Sequence, residues 1–101
     1  AEPDISFGKV VVDRRARTVS IGRKPVKLSA KEFDLLCLLA ESPGQVFTRD
    51  TILERIWGWD YDGTARTVDN FVVKLRRKIE PKPDRPVHIL TVYGIGYKLV
   101  C

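Results

Sequence analysis

The segment RTVDNFVVKLRRKIE, residues 66–80, is the strongest constraint on what this chain can fold into. Stepped around a helix at about 100° per residue, Val72, Leu75 and Ile79 fall within about 40° of Val68. Arg66, Asn70, Val73, Lys74 and Arg77 gather within about 60° of the opposite pole, with Thr67 at the margin. Phe71 lies between the two, at the expected edge of a core. Pro81-Lys82-Pro83-Asp84-Arg85-Pro86 then ends the helix, because proline lacks the N–H and clashes with the preceding turn. A helix with one dry stripe needs a core supplied by the rest of the chain.

The rest can supply one. Ile5-Ser6-Phe7, Val10-Val11-Val12, Thr18-Val19-Ser20-Ile21 and Val26-Lys27-Leu28 are short strand-like runs. Asp13–Arg17 and Gly22-Arg23-Lys24-Pro25 separate them as turns. These runs predict a small antiparallel sheet. Ser29-Ala30-Lys31-Glu32 is a capping box, in which the Ser29 oxygen accepts from the Glu32 N–H and the glutamate reaches back. The next helix, KEFDLLCLLAES, is apolar around most of its circumference, so it should be buried on more than one side. Pro43-Gly44 stops it. Thr48 is the next cap, and Ile52, Leu53 and Ile56 make a short amphipathic helix ending at Trp57-Gly58. Residues 57–65 read as a loop. After the proline cluster, Ile89–Val92 and Tyr97–Val100 read as a hairpin around a glycine-rich tip.

Net charge is +5 over 101 residues, but its position matters more. Residues 1–65 hold ten Lys/Arg and ten Asp/Glu; residues 66–98 hold eight and three. The excess lies wholly in the last third, as a face for a polyanion requires. A merely solvated basic helix has the same composition.

Enzymatic chemistry finds no support. The single histidine, His88, sits in a strand-like run, and neither a nucleophile elbow nor a phosphate loop occurs. Asp60 and Asp62 are too few for a calcium loop. Cys37 looks like a small buried hydrophobe and Cys101 ends the sequence, so a reducing compartment and no metal or cofactor are expected. The apolar runs fall far short of the ~20 residues that span a bilayer, and no signal-peptide pattern opens the chain.

A binding role has more behind it. A short helix, a turn and a second helix with a basic outer face follow the logic of a helix-turn-helix, whose second helix enters the major groove. Asn70 suits adenine, Lys74 suits guanine and Val73 a thymine methyl. Arg66, Arg76 and Arg77 suit phosphates, and Thr67 suits either target. Val73 is informative, since a merely solvated face favours Lys or Glu there. A module that binds protein through Val73, Phe71 and the Trp/Tyr loop is the alternative.

Leu28-Ser29-Ala30-Lys31-Glu32-Phe33-Asp34-Leu35-Leu36, Arg66-Thr67-Val68-Asp69 and Thr91-Val92-Tyr93-Gly94-Ile95-Gly96-Tyr97 occur in this order. Together they resemble the OmpR/PhoB family, the winged-helix DNA-binding effector domains of bacterial response regulators. The resemblance runs from about Ile5 to Val100. It implies an α+β winged helix-turn-helix with an N-terminal four-stranded antiparallel sheet, three helices and a C-terminal hairpin wing over the adjacent minor groove. It makes residues 66–80 the recognition helix and gives Trp57 and Thr91 contacts to the DNA backbone. It also offers loop 57–65 to RNA polymerase, with Asp50, Trp59, Asp60 and Tyr61 as contact candidates. Tyr93 departs from relatives that insert an arginine into the minor groove; a backbone hydrogen bond from its hydroxyl remains open to it. Residues 1–4 are read as a linker remnant and residues 5–101 as the effector domain. The receiver domain addressed by a sensor histidine kinase has no room in this length. The resemblance thus implies a cytoplasmic bacterial transcription regulator, monomeric as this fragment and dimeric on tandem DNA half-sites.

Overall fold

A computed structural model describes residues 4–58, 61 and 63–101. The chain opens with β1 (Ile5–Phe7), β2 (Val10–Asp13), β3 (Thr18–Ile21) and β4 (Lys24–Val26), a four-stranded antiparallel meander in that order. The register aligns Ile5, Val12, Val19 and Val26 across the four strands in one inward-facing row. Period-two alternation therefore produces one dry face.

The fourth strand begins earlier than the sequence predicts. Gly22 and Arg23 both take left-handed backbone angles, φ 55° and 71°. Two such residues make a tight turn whose twist matches the paired strands, so pairing resumes at Lys24 instead of Val26. Pro25 is tolerated because β4 is an edge strand.

Helix α1 (Ala30–Ala40) starts at the expected capping box: Ser29 Oγ accepts from the Glu32 N–H at 3.2 Å, and Glu32 Oε1 accepts from the Ser29 N–H at 2.8 Å. Phe33, Leu35, Leu36, Leu39 and Ala40 are buried, and Cys37 and Leu38 half-buried, so the helix is enclosed on several sides as its composition predicts. Arg14–Glu41 (3.0 Å) and Arg17–Asp34 (2.9 Å) tie the β2–β3 turn to its outer flank. Burial pushes the Cys37 thiol up to about 11, which keeps it protonated and unreactive at neutral pH.

Thr48 caps α2 (Arg49–Trp57) through its side-chain oxygen. Trp57 is the last residue of that helix and not part of the following loop. Thr64 caps α3 (Ala65–Ile79). Phe47–Thr48 also forms a two-residue strand, β5, too short to show in the sequence. It joins β6 (Ile89–Val92) and β7 (Gly96–Leu99) in a three-stranded sheet of order β5-β7-β6. The hairpin is the expected one, with its second strand starting one residue early. At Gly96 a side chain has no room: a Cβ would lie 1.9 Å from the Phe47 carbonyl oxygen, so only glycine lets β7 lie this close to β5.

One continuous core joins both sheets and the three helices. Val68, Val72, Leu75 and Ile79, the stripe read from the helical phase, are 0–2% exposed. Among the described residues no helix is long and apolar enough to cross a membrane.

Candidate nucleic-acid interface

Because the stripe of α3 is fully committed to the core, the opposite face is necessarily offered outward. Arg66, Asn70, Val73, Lys74 and Arg77 are all exposed, and Thr67 is half-buried at the margin, as its helical angle requires. Val73 is 44% exposed and borders a shallow hollow with Arg76, Arg77, Pro83 and Asp84. The face thus combines two amide and hydroxyl side chains, one aliphatic and three cations.

The hairpin stands beside this helix, and Arg76 sets its position. Arg76 Nε and Nη2 donate to the Ile89 carbonyl at 3.0 and 2.8 Å, and Nη2 also donates to Thr91 Oγ1 at 2.8 Å. Arg76, read from the sequence as a phosphate contact, and Thr91, given a backbone contact by the resemblance, are here joined to each other. Arg76 is half-buried, and its fork is directed at β6 rather than outward. Its physical job in this structure is to hold the hairpin against α3. The tip carries Tyr93, which is 90% exposed, and Ile95, also exposed.

A second linkage joins two of the motifs that carry the family resemblance. Asp69 Oδ1 accepts from Arg49 Nε at 2.7 Å and from the Tyr97 hydroxyl at 2.6 Å. Arg49 and Arg76 lie 5.4 and 5.6 Å from the Tyr97 ring centroid. The start of α2, the first turns of α3 and strand β7 are fixed relative to one another through one carboxylate. Burial pushes the Asp69 carboxyl up, but the bonds from Tyr97 and Arg49 outweigh it and leave it below its ordinary value of 3.8. Burial and the same carboxylate raise the Tyr97 phenol. The sequence reading missed this triad. Its only signal was that Asp69 and Tyr97 each close one of those motifs.

Glu32 gives a comparable brace between α1 and α3. Its side chain is 4% exposed, and Lys78 Nζ reaches it at 2.6 Å. Burial raises this carboxyl, while the Lys78 and Ser29 bonds lower it further, for a net shift below the ordinary 4.5. A carboxylate with a depressed folded value stabilises the fold above its unfolded value, and that contribution is lost as pH falls. Glu32→Gln is therefore expected to cost about 1–2 kcal/mol at pH 7 and much less at pH 3. Urea midpoints at the two pH values check this. An equal gap at both would show that the Glu32 charge is not what matters.

Trp57, expected on the DNA backbone, packs edge-on against Phe71 with centroids 5.0 Å apart. Lys31 Nζ lies 5.9 Å from the Trp57 ring centroid and donates to the Ile56 carbonyl at 2.7 Å. Phe71 is half-buried at the core edge, where its helical angle placed it. Tyr61 is exposed, with its ring 6.3 Å from that of Trp57, and Asp50 is exposed on the first turn of α2. Trp59 and Asp60 lie outside the described residues. His88 is structural: Nδ1 is 3.0 Å from the Val100 carbonyl oxygen, and the ring meets Phe7 edge-on at 5.0 Å.

The model of the family described as "Transcriptional regulatory protein, C terminal" matches residues 22–99. The response regulator DrrB of Thermotoga maritima, described as an OmpR/PhoB homolog, superposes with a TM-score of 0.90 at 36% identity, over 97% of this chain and 44% of that one. This chain belongs to the OmpR/PhoB family. Within that family, the DNA-binding domain of Klebsiella pneumoniae RstA, solved in complex with the RstA box, gives a TM-score of 0.87 at 37% identity, over 98% of each chain. The sensory transduction protein RegX3 of Mycolicibacterium smegmatis is 47% identical over 94% of this chain. The chain spans 42% of that relative's length. The OmpR/PhoB winged-helix architecture expected from the motifs is the observed one: four-stranded sheet, three helices and terminal hairpin.

Proposed function

We propose that this chain is the DNA-binding output domain of a bacterial response regulator that controls transcription. The observation that carries it is the outward face of α3, where Arg66, Asn70, Val73, Lys74 and Arg77 are presented together beside a hairpin with an exposed tip. The helix lies in the major groove. Asn70, Lys74, Val73 and Thr67 meet base edges, while Arg66 and Arg77 meet phosphates. The hairpin lies toward the adjacent minor groove, with the Tyr93 hydroxyl free to donate to the backbone. Arg76 and Thr91 contribute by fixing the hairpin. The likeness to the RstA domain, which was solved on DNA, supports the reading.

The whole regulator adds the rest. A receiver domain would answer a sensor kinase in the cytoplasm and pair two copies on tandem half-sites. Asp50 and Tyr61, exposed on α2 and just after it, are offered to RNA polymerase. Nothing in the site calls for catalysis.

Titration of a duplex pool with this chain over a salt series tests the reading. Affinity is expected to fall log-linearly with salt, with a slope of about −0.9 per phosphate neutralised. Selection of bound sites from random DNA should then return a defined half-site. Binding indifferent to salt, or no enrichment of any sequence, would instead point to a protein partner.

A further inference from the structure

Lys74 is the cation at the centre of the outward face of α3, and a flexible four-carbon stem is a poor tool for reading one base. Among the described residues it takes part in no ion pair. What it has is an aromatic ring. Lys74 Nζ stands 4.8 Å from the Phe71 ring centroid, one helical turn back, where i and i+3 side chains meet. That ring is itself held. Phe71 packs on the core edge and takes Trp57 edge-on at 5.0 Å, with the planes at 72°. Trp57 in turn lies beneath Lys31, whose ammonium is fixed on the Ile56 carbonyl. The series Lys31, Trp57, Phe71, Lys74 runs from the start of α1 to the groove-facing side of α3.

We infer that Phe71 is a positioning residue for Lys74, an aromatic seat that holds the ammonium where it reads one base pair. The inference rests on the DNA-binding reading of this domain. An ammonium has three donors, and contact with a ring face leaves its N–H groups free to reach guanine O6 and N7. Seating the stem before binding lowers the ordering entropy otherwise lost on the DNA. Trp57 acts one step further out, through Phe71.

Phe71→Leu removes the ring and keeps most of the apolar volume; Phe71→Tyr keeps the ring. The probes are a duplex selected from random DNA by the unaltered chain, its single-base-pair variants, and a scrambled duplex. Phe71→Leu is expected to reduce discrimination by roughly two- to fivefold at the one position that Lys74→Ala also relaxes. Affinity for the scrambled duplex and the salt slope should stay as they were, and Phe71→Tyr should restore discrimination. Unchanged discrimination in Phe71→Leu, or equal weakening on every duplex, would overturn the inference. An independent measurement covers a Phe71→Leu variant that fails to fold. In the unaltered chain without DNA, the Lys74 side-chain methylene protons should be shifted upfield by the ring, and their appearance at ordinary positions would also overturn it. If the unaltered chain bound no duplex, the DNA-binding reading would fall and the role assigned to Phe71 with it. The upfield shift would still register the Phe71–Lys74 contact, so the two failures are distinguishable.

Discussion

Glu80→Ala is expected to lower stability by roughly 2–3 kcal/mol. Glu80 is 6% exposed, at the C-cap of α3. Its carboxylate accepts from three successive backbone N–H groups: Val87 at 3.1 Å, His88 at 3.1 Å and Ile89 at 2.7 Å. Val87 and His88 lead into β6, and Ile89 opens it. Truncation leaves the buried Ile89 N–H without an acceptor, at about 1–3 kcal/mol for an unsatisfied buried group, and leaves the part-buried Val87 and His88 N–H groups to water. In a domain of this size that corresponds to a fall in melting temperature on the order of 15 °C. Glu80→Gln keeps one acceptor oxygen and should recover part of the loss. Thermal unfolding followed by circular dichroism checks the series. An alanine variant melting within about 2 °C of the unaltered chain would mean that water serves these donors equally well. The hairpin hangs on this cap and on Arg76, so partial destabilisation should appear first as hydrogen exchange in β6 and β7.

The second large effect is on DNA, where Lys74→Ala and Arg77→Ala should differ in kind. Lys74→Ala is expected to weaken the selected site by roughly 1–3 kcal/mol and to relax preference at one base pair. Arg77→Ala should weaken all sequences alike and reduce the salt slope by about 1. Both residues are exposed on α3, so neither change should alter the melting temperature appreciably. Competition binding against variant duplexes at two salt concentrations separates them. A uniform loss for Lys74→Ala would transfer it to the phosphate-contacting group.

Much of this was legible in the chain because periodicity is a local property. The phase of α3 sorted Val68, Val72, Leu75 and Ile79 from Asn70, Val73 and Lys74, and the structure keeps that division. The caps at Ser29 and Thr48 involve residues only three apart, so the sequence displays both partners together. The missed features are of another kind. Arg76 resembles Arg77 in a list of basic residues, yet it lies about 100° around the helix, and that angle points it at β6. The Asp69–Tyr97 bond spans 28 positions and Glu32–Lys78 spans 46. No local pattern marks such pairs. Strand β5 exists only because β7 is beside it, and the start of β4 was decided by the handedness of two turn residues.

The sequence by itself determined the dry stripe of α3, where α1 and α2 begin, and that the surplus positive charge lies in the last third of the chain. Local spacing and propensity suffice for these. Only the tertiary structure decided which cations are free to meet a polyanion and which are fixed within the fold. Arg76 and Arg49 hold hairpin, helix and strand together, whereas Arg66, Lys74 and Arg77 face outward. The reason is that a side chain's partner is set by what long-range packing brings within about 3 Å of it, and chain order does not record that distance.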